Sequence, residues 1–356
     1  MRALNRFQAG LAVLAVAAAP ASAQKTPVFS SGLDLVHVTV TVRDARGGLV
    51  SDLTAEDFVV REDGRVQAVQ VFGAAAGQIH TGEIAPRAAA LHCTRCGDVV
   101  HVTEGQAVPE CTRGHRTFDI EEREELALNL GLLFDTSESM RKDLRLSQES
   151  AIRFLESIPR ARDLLLVFFD RDIRLSRYSS ENQQGIFGRI LETRGEGYTA
   201  LYDALAVYLS RVADTPGRKV LVVFTDGDDT TSQVPPDEVQ RLLRSSDATV
   251  YPVAFPGERR AGSPDALRAR AFLNSLADLS GGRVFQPTAS RELARIYQSI
   301  LDELGAQYVL GYVSDNPARD GKFRRITVET RRPELKLRHR SGYDAPKDGP
   351  PPAPKR

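Results

Sequence analysis

Between residues 126 and 304, short apolar runs alternate with stretches in which apolar residues recur every three or four positions. Short runs bounded by turns are typical of buried strands, and the wider spacing is typical of helices with one buried face. The alternation predicts a doubly wound, mostly parallel α/β sheet of the Rossmann-like kind, with helices on both faces. The predicted strands are 127–134, 163–169, 219–225, 248–255 and 283–286, and the helical sets are Ile152, Leu155 and Ile158; Leu201, Leu205 and Leu209; Val239, Leu242 and Leu243; Leu267, Ala271 and Leu276; and Leu293, Ile296, Ile300 and Leu304.

Both ends of the chain carry strand patterns instead. Residues 35–42 alternate apolar with polar side chains. Asp63-Gly64 is a hairpin signal between the apolar run 58–60 and a predicted return strand, 66–72. Near the other end, 308–312, 323–330 and 335–339 are strand candidates. Neither group has enough strands to bury a core alone. We therefore expect the two ends to pair in one small antiparallel β-sandwich.

The first residues have the composition of a signal peptide. Arg2 and Arg6 precede the apolar run 9–19, and Ala21-Ser22-Ala23 is a small-residue cleavage site. A retained signal anchor is the alternative, although the apolar run is shorter than the roughly 20 residues that span a bilayer. We expect an exported chain, periplasmic or secreted, with no integral membrane segment after cleavage.

These patterns divide the chain into six predicted segments. They are a signal peptide (1–23), an N-terminal β unit (24–90), a Cys/His-rich insertion (91–120), the α/β domain (121–304), a C-terminal β segment that pairs with the first unit (305–344) and a disordered Pro-rich tail (345–356). Lys plus Arg and Asp plus Glu balance at 47 each. This balance gives no reason to expect a nucleic acid or an anionic membrane as the partner.

Oxygen-bearing side chains follow two predicted strands and precede one predicted helix of the α/β domain. Asp135, Ser137 and Ser139 follow the first strand, Thr199 stands at the start of the helix near Leu201, and Asp226 follows the strand 219–225. Ligands of such sheets bind at the carboxyl ends of the strands. Carboxylates and hydroxyls are ligands for hard cations such as Mg²⁺. A site with only two carboxylates would leave the ion able to accept an outside carboxylate.

The same residues resemble the metal-ion-dependent adhesion site of von Willebrand factor A domains. Asp135-x-Ser137-x-Ser139, Thr199 and Asp226 occur in that family's order, each at a strand–loop–helix junction. The resemblance implies that Asp135, Ser137, Ser139 and Thr199 lie in or near the first shell and that Asp226 binds directly or through water. It implies Mg²⁺, with Mn²⁺ or Ca²⁺ as substitutes, and a protein partner that docks through an Asp or Glu carboxylate.

Two departures and one alternative accompany this resemblance. Glu138 stands where many relatives have Gly, and Asp228 and Asp229 make the third loop acidic. Either feature could weaken docking of a carboxylate or favour Ca²⁺. The alternative is that Ser137 and Ser139 only cap the next helix while Asp226-Gly227 is only a turn.

A wider resemblance covers nearly the whole mature chain except 73–120. The stretches 53–58, 62–64, 280–283, 307–312 and 340–343 are similar to a bacterial von Willebrand factor A-related family that is abundant in Acidobacteria. This resemblance implies the two-part architecture and says little about a biological role.

All three cysteines lie in the insertion. Cys93, Cys96, Cys111 and His115 have the spacing C-x2-C-x14-C-x3-H, which resembles a zinc knuckle with four ligands for tetrahedral Zn²⁺. His92 and His101 compete as the fourth ligand. A disulfide that joins Cys111 to either other cysteine is the alternative in an exported chain, although an odd count leaves one thiol over.

Three functional hypotheses follow. The first is a binding module that uses the cation for metal-dependent protein–protein interaction. The second is a structural or assembly component of a secreted complex, in which the metal serves stability only. The third is a metal-dependent hydrolase, but no Gly-x-Ser-x-Gly motif is present and 126–304 contains no His. We therefore do not expect an enzyme.

Overall fold

The computed structural model describes residues 35–74, 78–80, 89–93, 95–96, 98–102, 107–120, 128–157, 161–179, 184–213, 215, 217–256, 262–287 and 290–347. The predicted signal peptide and most of the predicted Pro-rich tail lie outside these ranges. Within the described ranges, no helix is long and apolar enough to cross a membrane.

Strands and helices are numbered in chain order. The strands are β1 (Leu35–Arg43), β2 (Phe58–Glu62), β3 (Arg65–Gln67), β4 (Val69–Ala74), β5 (Gln78–His80), β6 (Ala89–Cys93), β7 (Val99–Val102), β8 (Thr117–Ile120), β9 (Leu128–Asp135), β10 (Ala161–Phe169), β11 (Ile173–Ser179), β12 (Arg218–Thr225), β13 (Thr249–Ala254), β14 (Tyr308–Val313), β15 (Phe323–Thr330), β16 (Lys336–His339) and β17 (Gly342–Asp344). The helices are α1 (Leu144–Ser157), α2 (Gln184–Leu191), α3 (Leu201–Val212), α4 (Pro236–Ser245), α5 (Pro264–Ser280) and α6 (Ser290–Ala306), with short 3-10 turns at Ala55–Asp57 and Glu138–Met140.

A mostly parallel sheet forms the α/β domain, as predicted. Its strand order is β11-β10-β9-β12-β13, and β9, β10, β12 and β13 are parallel. Every residue of β12 is buried, because helices cover both faces of the sheet. Val222 and Phe224 pack against α1, α2 and α6, whereas Leu221 and Val223 pack against α3, α4 and α5.

The edges of this sheet differ from the sequence prediction. β11 is an antiparallel edge strand that the pattern did not predict, because Arg174 and Arg177 interrupt its apolar positions. The predicted strand 283–286 is reduced to one bridge between Phe285 and Val253, since Pro287 has no N–H with which to extend the pairing. The buried face of helix α5 also differs from the predicted one.

Helix α5 packs through a different face from the one predicted. Leu267 is 57% exposed, while Phe272, Leu273 and Leu276 are buried. Leu276 alone of the predicted set lies in the core. The sequence Ala-Phe-Leu inside the helix offered two apolar faces, and contact with β13 selects the second.

Strands from the two ends of the chain form the predicted antiparallel sandwich. One sheet has the order β16-β1-β14-β4 and the other β17-β15-β2-β3. β1 pairs with β14 so that Val38 lies opposite Leu310. The predicted return strand after Asp63-Gly64 is broken at Ala68, because β3 pairs in one sheet and β4 in the other. The chain therefore crosses between the sheets at this point.

Buried Glu303 connects the α/β domain to the sandwich. Its carboxylate lies on α6, accepts hydrogen bonds from Arg43 at 2.6 Å and from Arg338, and forms an ion pair with Arg283 at 3.1 Å. Arg43 ends β1 and Arg338 lies in β16. A buried carboxylate requires such charge partners, so Glu303 fixes α6 against the first sheet of the sandwich.

The cysteine-containing insertion is more regular than its composition indicated. β5, β8, β6 and β7 form an antiparallel sheet in that order, and this sheet starts at Gln78, before the expected start of the insertion at residue 91. Leu91, Val102 and Val108 are buried together with Cys93 and Cys111. The short strands escape a pattern search because each has only three to five residues.

His339 predicts a specific pH dependence of stability. Its Nε2 accepts from the Val328 N–H at 3.2 Å, and its Nδ1–H donates to the Arg340 carbonyl at 2.7 Å. Burial lowers the pKa of His339 below its ordinary value of 6.5. Protonation of Nε2 would place its N–H against the Val328 N–H, and the hydrogen bond between these two residues would be lost. Because the folded pKa lies below the unfolded value, stability is lost as the pH falls from about 6.5 through the folded pKa.

We therefore expect the Tm advantage of the wild-type chain over His339→Gln to shrink between about pH 7.5 and about pH 5. Differential scanning calorimetry measures both transitions, and taking the difference removes the titration of all other groups. A difference that stays constant over this range would contradict the proposed neutral state of His339.

Candidate functional site

Three parallel strands end at the same level at one edge of the α/β sheet. Asp135 pairs with Phe169 in the register of β9 and β10, and Phe134 pairs with Phe224 in that of β9 and β12. The residues that follow these strand ends therefore leave the sheet side by side. Among them are the predicted residues Asp135 and Asp226.

The first loop places one carboxylate and two hydroxyls together. The Asp135 side chain is buried; its Oδ1 accepts from the Ser137 N–H at 3.0 Å and its Oδ2 accepts from the Thr225 hydroxyl at 2.7 Å. The hydroxyls of Ser137 and Ser139 lie 3.1 Å apart. The 3-10 turn Glu138–Met140 begins directly after Ser137, so Ser137 and Ser139 lie at the start of this turn.

The second loop holds Thr199 in a buried position. The N–H groups of Thr230 and Thr231 donate to the Thr199 carbonyl at 2.9 and 3.1 Å, and the Thr199 N–H donates to the Thr230 hydroxyl at 2.9 Å. Gly197 precedes it with a φ of 80°, in the left-handed region that favours glycine. Thr199 is therefore fixed against the third loop before α3 begins.

The third loop presents Asp226 at the opening of the site. Asp226 is half-buried, and its Oδ1 accepts from the Asp228 N–H at 3.1 Å. Gly227 has a φ of 85°, and a Cβ there would lie 3.0 Å from Leu273. The turn that directs Asp226 thus requires glycine at the next position.

Hydrogen bonds fasten the three loops to one another. The Glu138 N–H donates to the Gly197 carbonyl at 3.2 Å, and the Glu196 N–H donates to the Thr136 carbonyl at 2.9 Å. The first loop is joined to the third by the bond from Thr225 to Asp135. All three loops that carry the five predicted ligands are brought together at one place.

The electrostatics of this place favour a cation. Burial, followed by repulsion from Asp226, raises the pKa of Asp135 to about 7, although the hydrogen bonds from Ser137 and Thr225 act in the opposite direction. Two carboxylates and several hydroxyls form an all-oxygen donor set of low total charge, which suits Mg²⁺ or a similar hard ion. The residues present therefore fit such an ion.

The acidic neighbours are mostly engaged elsewhere. Glu138 is an exposed residue whose carboxylate forms an ion pair with Arg141 at 3.1 Å. Asp229 accepts from the Tyr202 N–H at 3.2 Å and from the Ser232 hydroxyl at 2.5 Å, so it caps the start of α3. The carboxylates of Glu138 and Asp229 are therefore engaged in contacts of their own, whereas Asp228 lines the cleft beside Asp226.

A cleft opens beside Asp226 and Asp228. Its volume is about 270 Å³, and Phe255, Leu267 and Arg270 are among the residues that line it. The exposed Leu267 thus lies next to the acidic loop. Among the described lining residues, the cleft has a largely apolar wall and one cationic side chain, Arg270.

Two further polar residues, which the sequence motifs did not indicate, lie at this edge. Thr225 is the last residue of β12 and orients the Asp135 carboxylate, while its hydroxyl also accepts from the Gly227 N–H at 3.0 Å. Asp170 directly follows β10, and its carboxylate accepts from the Thr136 hydroxyl at 3.1 Å and from Arg174 at 2.6 Å. Each stands at or just after the end of a buried apolar run, which is the signal that could have found it.

Residues 129–299 match the family model of the von Willebrand factor type A domain. The chain carries a von Willebrand factor type A domain. No curated protein sequence matches the chain. The narrower resemblance to the bacterial von Willebrand factor A-related family stays a prediction.

Several solved structures are similar to this chain at low sequence identity. Proximal thread matrix protein 1 from the mussel byssus is 18% identical with a TM-score of 0.40, and the match covers 51% of this chain and 46% of that protein. An aerotolerance-related membrane protein from Bacteroides fragilis is 14% identical with a TM-score of 0.40, covering 50% and 98%. A von Willebrand factor type A protein from Catenulispora acidiphila is 13% identical with a TM-score of 0.43, covering 84% and 75%. The chain thus spans less than half the length of the mussel protein.

The four predicted zinc ligands form a second cluster outside the von Willebrand factor type A domain. The ligand atoms of Cys93, Cys96, Cys111 and His115 all lie within 4.8 Å of one another. His101, which competed as the fourth ligand, is exposed on β7 and is not part of this group. The side chain of His92 lies outside the described part of the chain.

Asp135 gives a prediction for the metal-free protein. Its folded pKa of about 7 lies above the ordinary value of 3.8, so the ionised carboxylate opposes folding at higher pH. We expect Asp135→Asn to have a higher Tm than the wild-type chain in chelator at about pH 8, and the gap to narrow toward about pH 5 as the wild-type carboxyl takes up its proton. Thermal melts measured at both pH values test this, and a wild-type chain that is the more stable at about pH 8 would show that the carboxylate is not repelled there.

Proposed function

We propose that the von Willebrand factor type A domain binds one divalent cation, Mg²⁺ or in its place Mn²⁺ or Ca²⁺, and uses it to dock a protein partner. The ligands are Asp135, Ser137, Ser139, Thr199 and Asp226. The observation that carries this proposal is the buried Asp135 carboxylate at the junction of three mutually bonded loops. A buried carboxylate that faces a second one is costly unless a cation accompanies it.

The donor set supports docking rather than permanent closure of the site. Mg²⁺ prefers six oxygen ligands and retains waters readily, whereas this site offers two carboxylates and three hydroxyls. Only two of the five ligands carry a negative charge, and the neutral hydroxyls are weak donors, so the bound ion would remain able to accept a further oxygen ligand. The bound ion supplies Lewis acidity toward an anionic oxygen. Asp226, half-buried at the opening, leaves room for a carboxylate from another protein.

The surroundings support a partner segment with an acidic and an apolar side chain. Arg141 lies near the rim in its pair with Glu138, and the cleft beside Asp226 has an exposed leucine, Leu267, and a cation, Arg270. The signal-like pattern at residues 1–23 supports a periplasmic or secreted location for this interaction. We propose a binding module and not an enzyme.

Metal binding is tested by calorimetric titration of the purified chain with Mg²⁺ and Mn²⁺. We expect binding of one ion to the wild-type chain and none to Asp135→Ala. Asp302→Ala, which removes an exposed acid on α6, is the matched control and should bind as the wild type does. Unchanged binding by Asp135→Ala would overturn the proposed site.

Thr225 is proposed as a positioning residue for Asp135. Thr225→Val keeps the shape of the side chain but removes the hydroxyl that donates to Asp135. We expect Mg²⁺ affinity to fall by about 10- to 100-fold, the usual effect of losing an outer hydrogen bond to a metal ligand. Thr225→Ser retains the hydroxyl and should preserve most of the affinity. Equal loss in both variants would indicate a packing effect instead.

Partner binding is tested by capture from a cell-envelope extract with added Mg²⁺ and after its removal. We expect a partner that binds wild-type protein only with the metal and does not bind Asp135→Ala under either condition. If Mg²⁺ raises the Tm but no capture depends on it, the metal serves stability only. That outcome would favour the structural or assembly role.

A further inference from the structure

We propose that Cys93, Cys96, Cys111 and His115 bind one structural Zn²⁺ that holds the module of residues 78–120 together. This site lies outside the segment that matches the von Willebrand factor type A family. It does not depend on the proposed adhesion site.

Three of the six distances between the four ligand atoms are close to those of a tetrahedral zinc site, and all six are within 4.8 Å. Zn–S bonds of about 2.3 Å place two sulfurs about 3.8 Å apart, and a Zn–N bond of about 2.0 Å places sulfur and nitrogen about 3.5 Å apart. The sulfurs of Cys96 and Cys111 are 3.7 Å apart, and His115 Nδ1 lies 3.3 Å from the Cys93 sulfur and 3.4 Å from that of Cys96. The arrangement thus encloses one ion of this size.

Two backbone turns hold the ligands in facing pairs. In the first, the Cys93 N–H donates to the Asp98 carbonyl at 2.8 Å. In the second, the Cys111 N–H donates to the His115 carbonyl at 3.1 Å, and Gly114 adopts a φ of 75°. The His115 N–H also points at the Cys111 sulfur at 3.3 Å, a donor that stabilises a thiolate.

A side-chain bond joins the two turns. The Asp98 carboxylate accepts from the Thr112 N–H at 3.1 Å and also from the Thr112 hydroxyl. The ligand pairs are therefore positioned relative to each other by contacts that do not involve the ligands themselves. Such positioning is expected of a site that binds a metal rather than of cysteines that meet by chance.

Within the described part of the module, the apolar core is small. Its described core consists of Leu91, Val102 and Val108 with Cys93 and Cys111, and two of these five residues are proposed ligands. A core of this size does not stabilise a separate sheet of short strands. Structural zinc supplies folding free energy outright in such small modules.

Disulfide formation explains the cluster less well. A bridge between Cys96 and Cys111 would bring sulfurs that are 3.7 Å apart to about 2.05 Å. It would leave Cys93 and His115 facing each other without a common partner. Zinc uses all four ligands, and soft thiolates and imidazole select it over the Mg²⁺ that the oxygen site prefers.

The test is metal analysis of the full chain purified without added metal, by inductively coupled plasma mass spectrometry. We expect one zinc per wild-type chain, near zero for Cys96→Ser and for His115→Ala, and one for the control His101→Ala in the same module. Asp135→Ala should also retain the zinc, so failure of the adhesion site and failure of this site are distinguishable. Zinc retained by Cys96→Ser and His115→Ala would overturn the proposal.

Two measurements on the wild-type chain cover the case in which the variants fail to fold. Replacement of the zinc by Co²⁺ should give intense sulfur-to-metal absorption and visible bands of a tetrahedral site. Without reductant, all three thiols should react with an alkylating reagent only after chelation. Weak octahedral Co²⁺ bands, or a mass two hydrogens lighter from a Cys96–Cys111 bridge, would overturn the proposal. Because a strong chelator removes both ions, the partner-capture experiment should remove Mg²⁺ by dialysis instead.

Discussion

The common register of the parallel strands is the constraint on which the proposed function depends. Hydrogen bonding of β9 to β10 and to β12 fixes the ends of all three strands at one level. The loops that leave these ends therefore start next to one another. A shift of one residue in either pairing would turn Asp135 toward the opposite face of the sheet and separate it from Thr225. The position of the Asp135 side chain therefore depends on the pairing of the strands.

Two buried carboxylates in this chain have opposite surroundings. Glu303 receives three arginines from within the chain, so its charge is balanced internally. The Asp135 carboxylate contacts a backbone N–H and a hydroxyl, and its nearest charge is another carboxylate. The first arrangement stabilises the contact between the α/β domain and the sandwich. The second is suited to a positive charge that comes from solution.

The sequence predicted the elements that combine long apolar runs with full burial. β9, β10, β12 and β13 fall within a few residues of their predicted bounds because both faces of each strand are covered. β11 and the sheet of the insertion escaped prediction, since edge strands carry arginines and short strands have no measurable period. The loop motifs placed Asp135 and Asp226 correctly at strand ends. Thr225 also stands at a strand end, but its role depends on a contact across strands, with Asp135 of β9.

The pairing of β1 with β14 links residues that lie almost a whole chain apart. During synthesis, β1 leaves the ribosome long before its partner strand β14 has been made. Its valines therefore have no sheet to pack in at that stage. The α/β domain has all its strands by the time α6 is complete, and β14 follows α6 directly. The strand β1 therefore has a sheet to join only after β14 has been made. A chain that stops before residue 308 lacks β14 and leaves the apolar strand β1 without its partner, which invites aggregation.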